Sequence, residues 1–332
     1  MNTLTKFLLS AILSVNIVLG SKLYFTQMPD SIPGNYTVWG YDTSTKQTTA
    51  IASGLEDSYT GYSMVSGAAI CGSEAYYYAV ASDLSIAHGV LVVDVAAGTS
   101  KVLDSKLFGG NLLHNMWCDS ADSSGQTFYA VEYNVNDPSD SNYYLYHVTI
   151  QGNKVTNERL GAFVPAAEPT GSDTMFSAPK DVSEVWCGWS ANSNEKAGKI
   201  QILSTKSGKV TGEYTLTGHN AYPYVTVPYQ AHQKTFIGVM NNPAKDVRIA
   251  QFTLEEDGSV SVADVKSAPY AYTGSQAWAI EYSKDLAYAC DYNEKLIRIM
   301  NAKTGDLIGD IQFSEILNEK TVNAGALAVV DV

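Results

Sequence analysis

The sequence predicts an all-β chain of six four-stranded sheets set in a ring. Three observations predict it: a recurring strand–turn–strand unit, a spacing near fifty residues, and a hydrophobic C-terminal strand that completes an unfinished first unit. Five segments carry the unit: VLVVDVAAGTSKVLD, YLYHVTIQGNKVTNE, KIQILSTKSGKVTGE, RIAQFTLEEDGSVSV and LIRIMNAKTGDLIGD. Their turn glycines, Gly98, Gly152, Gly208, Gly258 and Gly305, stand 54, 56, 50 and 47 residues apart. A sixth copy, YTVWGYDTSTKQTTAI, carries Lys46 at the turn, 52 residues before Gly98. Glycine or a tight polar turn between two β-rich runs is a hairpin signal.

Two more strand-like runs precede the hairpin in five units: MVSGAAIC and AYYYAVAS, LHNMWCDS and QTFYAVEY, TMFSAPKD and EVWCGWSA, YVTVPYQA and TFIGVMN, QAWAIEYS and LAYACDY. Each unit therefore has four strands, inner to outer. The first is one strand short. It offers KLYFTQM, YTVWGYD and TTAIASG, and the terminal AGALAVVDV supplies the missing inner strand. Pairing of 324–332 with 22–28 closes the ring and removes an exposed hydrophobic edge. A double β-sandwich leaves the even spacing unexplained. Helical periodicity is confined to a turn or two, best in SEILNEK at 314–320.

In period and strand order the chain resembles the β-propeller superfamily over residues 21 to 332, as six blades of the WD40 or YVTN type at the level of fold alone. Neither the Gly-His and Trp-Asp marks of WD40 blades nor the kelch double glycine recurs from unit to unit. The resemblance implies ligand binding at the mouth of a central channel.

Residues 1–20, MNTLTKFLLSAILSVNIVLG, place one lysine before an apolar run that ends in Val18-Leu19-Gly20, the order of a secretory signal peptide cut after Gly20. Residues 21–332 then form one domain. No other stretch reaches the roughly 20 apolar residues of a membrane helix. A secreted, extracellular chain makes Asn35-Tyr36-Thr37 a glycosylation sequon, after Pro33-Gly34. The formal net charge of −13, or −14 without Lys6, argues against nucleic acid and anionic membranes as partners.

Four cysteines remain after the leader. Cys71 and Cys118 fall on inner strands of neighbouring units, the one pair whose strands can meet; Cys187 and Cys290 fall on second strands of units four and six. The alternative is four small buried hydrophobes.

Established chemistries find little support. SADSSGQTF, 120–128, is similar to a sialidase Asp-box with one residue too many and sits in the wrong turn. The three arginines, Arg159, Arg248 and Arg298, fall on outer strands and cannot form a carboxylate clamp. Asp119, Glu281 and Asp331 are the acids nearest the inner strands, a sparse set for a central calcium, and no other cofactor is specified. Gly-x-Ser-x-Gly, His-Glu-x-x-His and phosphate-loop motifs are missing from the sequence.

Aromatic residues are in surplus, with 22 tyrosines and five tryptophans. Packing between blades accounts for many. Tyr222 and Tyr224 precede the fifth inner strand, Tyr270 and Tyr272 the sixth, and Trp117 and Trp278 lie within inner strands. His114-Asn115 and His219-Asn220 stand where inner strands begin. These ten residues form the expected ligand face, suited to a protein or glycan partner. The expected function is therefore a non-catalytic binding protein. Its rival is an extracellular hydrolase or lyase with a metal or acid pair in the channel.

Overall fold

A computed structural model describes residues 21–27, 36–55, 68–72, 74–79, 89–104, 112–133, 140, 142–163, 174–190, 198–216, 222–227, 232–241, 248–264, 278–291, 295–317 and 324–329. The leader, Asn35, His219, Asn220, Tyr270 and Tyr272 lie outside them.

The described residues form six four-stranded antiparallel sheets. The first contains β1 (Lys22–Gln27), β2 (Tyr36–Asp42) and β3 (Gln47–Leu55). The second contains β4 (Ala68–Cys71), β5 (Glu74–Ala79), β6 (Gly89–Asp94) and β7 (Thr99–Asp104). The third contains β8 (Leu112–Cys118), β9 (Thr127–Tyr133), β10 (Tyr143–Gln151) and β11 (Lys154–Phe163). The fourth contains β12 (Thr174–Ser177), β13 (Glu184–Ser190), β14 (Gly198–Ser204) and β15 (Val210–Leu216). The fifth contains β16 (Tyr222–Val227), β17 (Thr235–Asn241), β18 (Arg248–Leu254) and β19 (Val260–Asp264). The sixth contains β20 (Trp278–Glu281), β21 (Leu286–Asp291), β22 (Leu296–Asn301) and β23 (Leu307–Gln312). A short helix α1 (Phe313–Leu317) follows, overlapping the helical stretch read at 314–320. The last strand, β24 (Ala324–Val329), returns to the first sheet and pairs with β1, Leu23 opposite Val329 and Gln27 opposite Ala324.

Inner strands touch in the order β20, β24, β4, β8, β12, β16, so the sheets stand side by side as in a propeller. The core lies between sheets, and this explains why both parities of a strand are apolar. On β10, Tyr143 and Leu145 pack toward sheet four with Phe176 and Cys187. Val148 and Ile150, on its other face, pack toward sheet two with Cys71 and Val92. Leu23 and Phe25 of the first sheet join Tyr288, Ile297 and Phe313 across the seam with the sixth. Each such side chain contributes roughly 1.5–3 kcal/mol when fully buried.

The repeat glycines do more than turn the chain. The turn between third and fourth strands begins with a side-chain acceptor: Asp42, Asp94 and Asn301 each take two backbone N–H groups two and three residues on. A residue with positive φ then closes it, Gly98 at 66° and Gly305 at 75°. The same turn seats on the outer strand of the preceding sheet. Gly98 faces the Ile51 carbonyl, and Gly258 accepts the Thr215 N–H at 2.8 Å. A Cβ on Gly208 would stand 1.8 Å from the Leu160 oxygen. Lys46 holds the equivalent position at φ 57° without being glycine. Lys46→Gly is therefore expected to stabilise the protein by about 0.5–1 kcal/mol, the left-handed penalty less the added unfolded-chain entropy. Chemical denaturation measures it, and a loss of stability would contradict this account.

Cys71, ending β4, and Cys118, ending β8, form a disulfide with Cα atoms 5.3 Å apart. Cys187 is free and buried, and burial pushes its thiol pKa up, which leaves it unreactive.

Candidate binding face

Two ends of the ring differ in construction. At the leading end of the inner strands, three sheets carry a β-bulge. The extra residues are Ala326 on β24, His114 on β8 and Tyr224 on β16, each the third residue of its strand. These sheets alternate round the ring with β4, β12 and β20, whose described pairs run in unbroken register. Each of these residues has no opposite number in the ladder, so the strand bends and twists locally at that point.

The trailing end is bridged. After β20 a 3-10 turn, Tyr282–Lys284, carries the Tyr282 hydroxyl to the Ala178 carbonyl of sheet four, donating at 3.1 Å. Sheet five lies between sheets four and six in chain order, so this bond links two sheets that are not consecutive in the chain. The Lys180 ammonium lies 5.8 Å from the Tyr282 ring centroid. Tight turns fill the rest of this end. Asp122 accepts from the Ser124 and Gln126 N–H groups and from the Ser124 and Thr127 hydroxyls. Those hydroxyls, Ser124 first, hold its carboxyl well below the usual range. The Asp-box-like 120–128 segment thereby forms a self-capped turn that lays Gly125 on the Cys71 carbonyl.

The expected ligand residues fall as follows. Tyr222 and Tyr224 lie inside β16 rather than in the loop before it, because the strand starts at Tyr222. His114 and Asn115 lie on β8, Asn115 opposite Val131. Trp278 begins β20. Trp117 is half-buried against the cluster between sheets three and four, beside Tyr129, so it fills inter-sheet space. His114 and Asn115 are thus the third and fourth residues of β8, Tyr222 and Tyr224 the first and third of β16, and Trp278 the first of β20.

Acids near the inner strands are engaged locally. Asp119 Oδ2 lies 3.0 Å from His147 Nε2, and the His147 ring lies tilted at 39° to the Tyr129 ring with centroids 4.9 Å apart. Glu281 is bound by Ser21, Lys284 and Tyr288. Glu184 takes the Trp186 indole N–H at 2.9 Å and the His232 backbone N–H at 2.8 Å. Glu132 is buried and meets the Tyr146 hydroxyl, whose pKa burial raises, with that carboxylate adding to the rise. Arg159 stacks 3.6 Å from the Tyr144 centroid, and Arg298 faces Asp310 at 3.6 Å. Among the described residues, no group of three or more His, Cys, Asp or Glu side chains is placed to hold a metal ion. No described helix is long and apolar enough to cross a membrane.

Sequence reading missed the Ser21–Glu281 and Glu184–His232 contacts. Their partners are 260 and 48 residues apart, and no local pattern signals them.

No protein-family model and no curated protein matches the chain. Solved structures match its shape. Kuenenia stuttgartiensis hydrazine synthase aligns at 12% identity over 83% of this chain and 80% of that one, with a TM-score of 0.52. A chain of a nidogen/laminin complex aligns at 11% identity over 93% and 98%, with a TM-score of 0.51. The periplasmic gluconolactonase of Pseudomonas aeruginosa aligns at 13% identity over 92% and 85%, with a TM-score of 0.50. At these identities the likeness is one of fold. The chain is a β-propeller.

Proposed function

We propose that the protein is a secreted, non-catalytic six-bladed propeller, closed by β24, that binds a protein or glycan at the leading end of its inner strands. The asymmetry between the two ends carries this reading. One end is bridged by Tyr282 and filled with self-capped turns, whereas the other brings tyrosines of β16 and bulged backbone to one rim. Aromatic residues with polar tips suit sugars and protein loops. The 1–20 leader and the Asn35 sequon accord with an extracellular setting.

The test is direct binding of the purified protein to an array of extracellular glycans and secreted-protein ectodomains. The double variant Tyr222→Ala, Tyr224→Ala is expected to weaken the strongest interaction at least about tenfold. Its thermal midpoint should stay within about 3 °C of the parent, a shift that corresponds to roughly 1 kcal/mol. Unchanged affinity would refute the proposed face. Chelator-sensitive turnover of lactones, esters or glycosides would replace the binding reading with an enzymatic one.

A further inference from the structure

The first described residue is held by every polar atom it has. Ser21 N donates to Thr43 Oγ1 at 2.9 Å, and the Ser21 carbonyl accepts from Thr43 N at 3.0 Å and Thr43 Oγ1 at 3.1 Å. Its hydroxyl donates to Glu281 Oε2 at 2.6 Å and accepts from Lys284 Nζ at 3.2 Å. The Tyr288 hydroxyl lies 2.9 Å from both Ser21 Oγ and Glu281 Oε2. Lys284 Nζ pairs with Glu281 Oε1 at 2.6 Å. Ser21 and Glu281 are each 1% exposed, and Tyr288 is fully buried.

A catalytic reading of this serine fails on access, since no substrate reaches a hydroxyl buried to this degree. A strand's leading residue is ordinarily solvated on its upstream side. Here a pocket drawn from the first and sixth sheets encloses it, at the bond where the leader's small residue, Gly20, meets Ser21.

We propose that this pocket is the receptacle for the protein's own processed amino terminus. Hydrolysis of the Gly20–Ser21 peptide bond consumes one water, leaving a carboxylate on the leader and an α-amine on Ser21. Protonated, that amine gains two N–H donors beyond the one already bound by Thr43, on the residue whose own hydroxyl bonds the buried Glu281 carboxylate. Leader removal then tightens the seam between the first and last sheets. The inference rests on the signal-peptide reading but not on the identity of any ligand.

The first experiment expresses the full 332-residue chain through a secretory pathway and measures the intact mass of the product. A chain starting at Ser21 supports the proposal; a retained leader or a different first residue overturns it. The second compares the Ser21-initiated protein with one bearing Gly-Ala ahead of Ser21. The extension is expected to lower the thermal midpoint by about 2–4 °C. In the Glu281→Gln background, the extension should have no further effect. An extension without effect in the parent, or with equal effect in both backgrounds, overturns capture of the amine. Neither readout involves Tyr222 or Tyr224, so failure here and failure of the binding reading are separable.

Discussion

Replacing Cys71 and Cys118 together by serine is expected to destabilise the protein by about 4 kcal/mol, from the closure entropy of the loop they span. The two residues are 47 positions apart. The strand β4 has only four residues, so its own ladder with β5 is short. Loss of the bridge leaves sheets two and three held by packing, with Ala69, Val92 and Leu103 in one cluster with Met116, Phe128 and Val148. Guanidinium unfolding of the double variant, with the parent under reducing conditions as a control, measures the effect. A change below about 1 kcal/mol would show that the bridge does not constrain the unfolded chain as this account requires.

The second large effect is expected at Gly208. Gly208→Ala should cost about 3 kcal/mol or more, combining the left-handed penalty of a non-glycine residue with overpacking. The added methyl would meet the Leu160 carbonyl, and Gly161 approaches from the other side, where its own Cβ would stand 2.2 Å from the Gly208 oxygen. Gly152 is the natural control. It has nearly the same φ, 61° against 63°, yet nothing lies within 4 Å of its hypothetical Cβ. Gly152→Ala should therefore cost only about 1–2 kcal/mol, the backbone term alone. Equal losses at the two positions would mean that contact between sheets three and four contributes nothing at this turn.

The comparison of Gly152 with Gly208 also shows how far a sequence can be read. Both glycines mark a hairpin equally well, because local conformation is written in neighbouring residues. Which of them touches the previous sheet depends on how two sheets lie side by side. The six-fold spacing made the architecture legible, and the C-terminal strand's place beside β1 followed from counting strands. The ends of the ring were less legible. Tyr222 and Tyr224 read as residues before the fifth inner strand, yet β16 begins at Tyr222, with a register shift between Pro223 and Val225. Trp117 read as a ligand residue from its aromatic ring and its place on an inner strand; it packs against a cluster that draws Phe176 and Val185 from the next unit. Glu281 read as an acid near the channel. Its engagement by Ser21 needs the two ends of the chain brought together, which no window of sequence contains.

The pairing of β24 with β1 makes completeness of synthesis a condition of stability. At roughly 5–20 residues per second, about 15–60 s separate the appearance of the earliest strand from that of its final partner. During that interval the amino-terminal ladder lacks a neighbour, and its edge is open to pairing with other chains. A prematurely terminated product never acquires that neighbour, so quality control can recognise it by the same open edge that a finished molecule conceals.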